Sequence, residues 1–176
     1  MSLENGYVQV YTGNGKGKTT AALGLAFRAI GRGLKVCLIQ FMKGGGPYGE
    51  HFAAEKMTQN MTVRCFGRDG WVKKGSPNPE DLAEADRAYR MAEASLESED
   101  YDLVILDEMN GAVDFGLLSV EQALRLLDLK GEKVELVLTG RNACPEIIQR
   151  ADLVTEMCEI KHYYQAGVDA RVGIER

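Results

Sequence analysis

Two short runs hold the residue types best suited to chemistry. The first is TGNGKGKTT, Thr12 to Thr20. A loop of the form G-x-x-x-x-G-K-[ST] cradles a triphosphate with its backbone amides, its lysine and its hydroxyl. Here Gly17, Lys18 and Thr19 supply the end of that pattern, but the position five before Gly17 is Thr12 and the glycines fall at Gly13, Gly15 and Gly17. Alternating glycines give a backbone free to turn successive N–H groups toward phosphate oxygens. Lys18 offers a point charge, Thr19 a hydroxyl for Mg²⁺ (or Mn²⁺), Lys16 a second cation, and Asn14 and Thr20 further hydrogen-bond donors. The second run is LVILDE, which ends in Asp107 and Glu108. One of these acids is expected to hold the metal, directly or through water, and spacing alone does not say which.

Other candidates carry less. Arg141 follows an apolar run, as a residue at the binding edge of a sheet would. Arg64, Arg68, Lys73 and Lys74 form a basic cluster that reads as a solvated loop, and Glu80, Asp81, Glu84, Asp86 and Glu93 as the solvent face of a helix. Gly44 to Gly46 suggest a mobile flap. With only two histidines, His51 and His162, neither a His-based metal site nor a Ser-His-Asp triad finds support. Cys37, Cys65, Cys144 and Cys158 include no C-x-x-C pair and read as reduced, mostly buried thiols.

Positioning these groups requires alternating strands and helices. YVQVYT, KVCLIQFM, TVRCF, YDLVILDE and VELVLTG read as strands, with LVTEMCEI as a sixth. The strand before the loop and the helix after it place the phosphate loop at a helix N-terminus. That helix is expected to turn Leu23, Ala26, Phe27 and Ile30 to one face and to end near Gly31 or Gly33. Asn78-Pro79 opens a long helix to about Ser98, and Ser119-Val-Glu-Gln is a capping box. GRDGWVKKGSPNP is irregular. The alternation predicts a single α/β domain spanning 1–176, with a mainly parallel sheet flanked by helices.

The bulk numbers fit that picture. The chain has 176 residues, 45% hydrophobic, enough for one domain with a sizeable core, and its net charge of −5 disfavours nucleic-acid binding. No apolar run approaches a membrane span, and the first residues show no signal-peptide pattern, so a cytoplasmic protein is expected.

GNGKGKTTAALG, VCLIQFMKG, LDEMN, LTGRN and KHYYQAGVDARVGI, in this order, resemble the CobA-type (BtuR-type) ATP:corrinoid adenosyltransferases over nearly the whole chain. The resemblance implies a P-loop fold of RecA type, a homodimer, and transfer of the 5′-deoxyadenosyl group of ATP to Co(I) of a reduced corrinoid, with tripolyphosphate released. It implies that the shortened loop, Gly13 to Thr19, grips ATP in the reverse sense, with the γ-phosphate where ordinary loops hold the β-phosphate. Thr19 and Glu108 would hold the metal. It also implies an aromatic wall over the cobalt, for which CFGRDGWVKKG offers Phe66 and Trp71. Longer members carry an aromatic two residues before the tryptophan, where this chain has Asp69. Some members close the site with a segment before the first strand. Here the strand begins by Tyr7, so closure is expected to be looser or to come from another segment. No flavin or iron–sulfur motif is present, so an external electron donor such as a flavoprotein is implied. Two other readings remain open from the residues themselves: a P-loop kinase or ATPase, and a nucleotide-dependent corrinoid-binding module without turnover.

Overall fold

The computed structural model describes residues 2–44, 46–57 and 59–175. Six strands form one sheet: β1 (Val8–Thr12), β2 (Val36–Gln40), β3 (Met61–Cys65), β4 (Leu103–Asp107), β5 (Glu135–Thr139) and β6 (Leu153–Glu156). Their spatial order is β3-β2-β4-β5-β1-β6, and every pairing is parallel. The sheet is therefore wholly parallel, and β5 separates the strand that carries the loop from the strand that carries the acids.

Both faces of the sheet are covered, which is why β2 and β4 are apolar without alternation. Cys37, Ile39, Val104, Leu106, Leu136 and Leu138 face one core, closed by α3 (Pro79–Glu97), α5 (Val120–Leu129) and α6 (Pro145–Arg150). Val36, Leu38, Leu103, Ile105 and Val137 face the other, closed by α1 (Lys18–Ile30). The α1 face in contact with the sheet is Ala22, Ala26 and Ala29, whose small side chains allow close approach. Leu23, Ala26, Phe27 and Ile30 do share one side of α1, as expected, and on it Phe27 is 69% exposed. At the helix end Gly31 is the right-handed cap, and Gly33 takes the left-handed turn at φ 77°.

Local signals held at the caps. The Asn78 side chain accepts from Asp81 N at 2.8 Å, and Ser119 exchanges bonds with Gln122. Asp81, however, is not on a solvent face. It is 5% exposed and receives both Asn78 N and the Arg68 guanidinium, at 3.1 and 2.6 Å. A short helix α4 (Met109–Asp114) after the acid pair was not foreseen, nor was the single 3₁₀ turn Tyr163–Ala166 in the tail; α2 (Gly49–Lys56) follows the glycine-rich loop. Gly45, the centre of the expected flap, lies outside the described residues. The four cysteines are free, but only Cys37 is buried, because β3 is an edge strand and Cys158 follows another. No helix among the described residues is long and apolar enough to cross a membrane.

Candidate active site

Parallel strands deliver their carboxyl ends to one edge, and ligands of such sheets bind there. β1 ends in the phosphate loop, β4 in Asp107 and Glu108, β5 in Gly140-Arg141, and β2 leads into Lys43. These ends open onto a cavity of about 1070 Å³, lined among others by Lys16, Lys18, Thr19, Lys43, Glu108 and Arg141.

The loop's compression has a visible consequence. Thr12, in place of the first glycine, is the last residue of β1, and its Oγ1 accepts from Ala143 N at 3.2 Å. The turn then takes Gly13 and Gly17 through φ 92° and 122°, conformations that favour glycine. Gly17 is the N-cap of α1, which aims the helix N-terminus at the cavity. Gly15 N donates to Met157 O at 2.6 Å, so this amide is tied to the chain after β6 rather than open to a ligand. Lys18 Nζ folds back on Gly13 O and Gly15 O at 2.7 and 2.8 Å, holding the loop closed on itself. Burial lowers the Lys18 pKa against the pull of Glu108. Asn14, Lys16 and Thr20 are exposed on the cavity side.

The acid pair divides into two roles. Asp107 is 0% exposed and fully engaged. Its Oδ1 accepts from Thr19 Oγ1 at 2.8 Å and Thr139 Oγ1 at 2.6 Å, while Oδ2 meets Lys43 Nζ at 2.8 Å and Gln40 Nε2 at 3.2 Å. Burial alone would raise this carboxyl. Lys43, with the Thr139 and Thr19 hydroxyls, outweighs burial and holds it below the usual range. Glu108 has no such partners. Burial and then the neighbouring Asp107 push it up, against Lys43, Lys18 and Arg141. It faces the cavity from a left-handed backbone, φ 60°, fixed by Glu108 N donating to Thr139 Oγ1 at 3.0 Å. Strain of this kind in a non-glycine residue concentrates at functional sites. A Thr hydroxyl and one open carboxylate beside a phosphate loop suit Mg²⁺, which takes one or two carboxylates and completes its shell with phosphates and water. Among the described residues no three His, Cys, Asp or Glu side chains form a protein-only metal cage.

The aromatic candidates separate. Trp71 is 96% exposed and lines the cavity, so it anchors nothing in the loop that carries it. Phe66 packs against the core, with the Arg87 guanidinium 5.6 Å from its ring, and does not reach the cavity. Phe115 and Phe27 do line it and were missed. Phe115 sits on an unforeseen helix end, and Phe27 was read only as part of the apolar face of α1, with no ligand role given to it. The basic cluster is also less free than expected. Arg68 is bound to Asp81, and Lys74 meets both oxygens of Asp114 at 2.7 Å, where Asn142 Nδ2 also donates at 2.9 Å. Arg64 and Lys73 are exposed. Arg141 lies beside the loop, its Nη2 3.5 Å from Asn14 O. Lys43 was missed as well, although its place just past the carboxyl end of β2 was a usable signal. The cavity has an apolar shelf between α1 and α2, formed by Leu23, Phe27, Ile30, Met57 and Met61. On the loop side it is walled by the C-terminal tail through His162, Ile174 and Glu175, which supplies cover from the opposite end of the chain to the one the resemblance suggested.

A family model described as ATP:corrinoid adenosyltransferase BtuR/CobO/CobP matches residues 4–176. The chain is 36% identical to a corrinoid adenosyltransferase of Pseudomonas aeruginosa, over 98% of this chain and 84% of that protein. It is equally identical, 36%, to a corrinoid adenosyltransferase of Escherichia coli K12 over 98% of this chain and 86% of the relative. The corrinoid adenosyltransferase CobA of Salmonella typhimurium is 34% identical, with the same 98% and 86% coverage. With the compressed loop, the acid pair and nearly the full chain matched, this protein belongs to the ATP:corrinoid adenosyltransferase family.

Proposed function

We infer that the protein, as one domain over 1–176, transfers the 5′-deoxyadenosyl group of ATP to the Co(I) centre of a reduced corrinoid and releases tripolyphosphate. The observation that carries this reading is the loop in its family setting. A kinase must present the γ-phosphoryl group to an acceptor. An adenosyltransferase must enclose all three phosphates as one leaving group and leave C5′ exposed. The one-residue compression at Thr12, within a chain matched from 4 to 176, supports the second arrangement over an ordinary kinase or ATPase.

The reaction needs little acid–base chemistry from the protein. The cobalt electron pair attacks C5′, the bond from C5′ to the α-phosphate oxygen breaks, and its electrons leave on tripolyphosphate. Co(I) is already nucleophilic, which accords with a cavity that offers cations and one open carboxylate rather than a catalytic triad. Lys16, Lys18 and Arg141 and the α1 N-terminus meet the charge that grows on the leaving group. The walls hold C5′ and cobalt in line. Thr19 and Glu108 would hold Mg²⁺, with Asp107 orienting Thr19, and the ion would supply further neutralisation of the triphosphate. Trp71, with Phe115 lining the same cavity, is our candidate for the surface against which the corrinoid packs. A separate reductant, such as a flavoprotein, must deliver the electron that makes Co(I). A homodimer and a cytoplasmic setting complete the reading. The first is supported by the exposed apolar edge at β6 and the second by four free thiols.

Product analysis tests this. Incubated with MgATP and cob(II)alamin under a strong chemical reductant, the protein should yield tripolyphosphate and adenosylcobalamin in equal amounts. ADP as the main phosphate product would remove the adenosyl-transfer reading. Corrinoid bound but never alkylated would favour a binding module.

A further inference from the structure

The tail brings a carboxylate to the phosphate loop. Glu175 lines the same cavity as Lys18 and Thr19, and its Oε1 is 3.7 Å from Lys16 Nζ. Lys16 also donates to Ile174 O at 3.4 Å. The same carboxylate collects further donors from Arg171 and Tyr163. Arg171 approaches through Nη2 at 3.1 Å, Nε at 3.3 Å and its backbone N at 2.9 Å, and the Tyr163 hydroxyl donates to Oε1. The Arg171 guanidinium lies 4.9 Å over the Tyr163 ring, which fixes its plane. Two cations, a phenol and a backbone amide thus converge on one anionic group beside the triphosphate loop. Such a donor set, with a guanidinium gripping two oxygens, is the way proteins hold phosphate. Arg171 and then Tyr163 hold the Glu175 carboxyl down to about 2, so it stays charged throughout the physiological range. Its carrier segment turns at Gly173, φ 79°, and a glycine there gives the last residues an easy way to swing aside.

We propose that Lys16, which lines the cavity, and Arg171 and Tyr163, which lie behind Glu175, form an anion site beside the phosphate loop, that the Glu175 carboxylate competes for it, and that the terminal phosphate of the nucleotide takes its place. This deepens the adenosyltransferase reading and rests on the reversed seating of ATP, which brings the γ-phosphate to the loop. Glu175 then acts as a competitor that nucleotide must displace, and Arg171 as a ligand that it gains.

The two residues therefore carry opposite expectations, which a mere structural tie between them does not. Calorimetric titration with inorganic tripolyphosphate, ATP and AMP, at fixed Mg²⁺, separates the cases. Glu175→Gln should tighten tripolyphosphate and ATP by about three- to ten-fold, since one competing charge is lost. Arg171→Ala should weaken both by about the same factor, and Arg171→Lys should recover part of it. AMP, which lacks the far phosphates, should change less than about two-fold in every variant. Both variants moving in one direction, AMP moving with tripolyphosphate, or no change in either variant would overturn the anion site. Circular dichroism of each variant checks that the fold persists. The wild-type product assay is independent. If tripolyphosphate is formed while the variants bind it normally, the anion site fails and the transferase reading stands. If ADP is formed but the two variants still diverge, Lys16, Arg171 and Tyr163 stand as a phosphate site, while the transferase reading and the reversed seating fail.

Discussion

Asp107 and Glu108 are adjacent acids with opposite environments, and that contrast is the most informative feature at the scale of single residues. Asp107 is buried against Lys43 and three neutral donors, whereas Glu108 is buried beside a like charge and faces the cavity. Asp107→Asn takes from Lys43 its nearer carboxylate and leaves it Glu50 at 3.5 Å, and because Lys43 is also partly exposed we expect a loss of about 2–4 kcal/mol in urea unfolding, at or below the usual cost of breaking a buried pair. Glu108→Gln should keep stability within about 0.5 kcal/mol of wild type, or raise it, while lowering adenosyl transfer by about a hundred-fold or more. The pH signs differ too. The depressed Asp107 contributes stability that is present above its unfolded pKa of about 3.9 and is lost as pH falls through its folded value. The raised Glu108 destabilises the fold increasingly as pH climbs through its unfolded value of about 4.3 toward its folded one. The stability advantage of Glu108→Gln should accordingly widen between about pH 4 and neutrality, and a pH series of unfolding curves reads it directly. The pair itself was legible from LVILDE, but its division of labour was not, because Gln40 and Thr139 come from other strands and Lys43 from the loop after β2.

At the scale of elements, the phosphate loop is a turn whose glycines serve different ends. A Cβ on Gly13 would lie 2.5 Å from Met157 O and 2.8 Å from Met157 N, both backbone atoms next to β6. A Cβ on Gly17 would meet only the end of the Met157 side chain, Sδ at 3.3 Å and Cε at 4.0 Å, which can rotate away. Both substitutions incur about 1–3 kcal/mol of backbone strain. Gly13→Ala should add about 2 kcal/mol by displacing β6, so its unfolding midpoint should fall clearly below that of Gly17→Ala. Equal losses would mean that the loop does not press on β6. Strands, caps and long helices were visible in the sequence because hydrophobic period and capping residues act within a few positions. Helix α4 was not visible, since a six-residue helix has too little periodicity to announce itself. The burial of Asp81 was hidden for a related reason: Arg68, its partner, sits in an irregular stretch with no pattern of its own.

For the whole molecule, the strand order leaves β6 at the edge of the sheet, with Leu153 and Val154 exposed, and the tail adds Ile160 at 93% and Val172 at 83% exposure. An unprotected parallel edge with apolar side chains invites pairing with another copy. We expect light scattering to give twice the 19.4 kDa chain mass, and Val154→Lys to shift the protein toward monomer without lowering its melting temperature by more than about 4 °C. An unchanged mass in the variant would move the interface away from β6.

The amino-acid sequence by itself determined the order of elements, the phosphate loop with its displaced glycine, the acid pair and the family, because each is written in neighbouring residues or in a colinear set of motifs. The tertiary structure decided which groups share the cavity. It removed Phe66 and added Phe27, Phe115 and Lys43. It also spent one loop amide, that of Gly15, on Met157, and laid the C-terminal tail against Lys16. These are contacts between segments up to 159 positions apart, Lys16 to Glu175, and such contacts depend on strand order and side-chain burial, neither of which any local spacing encodes.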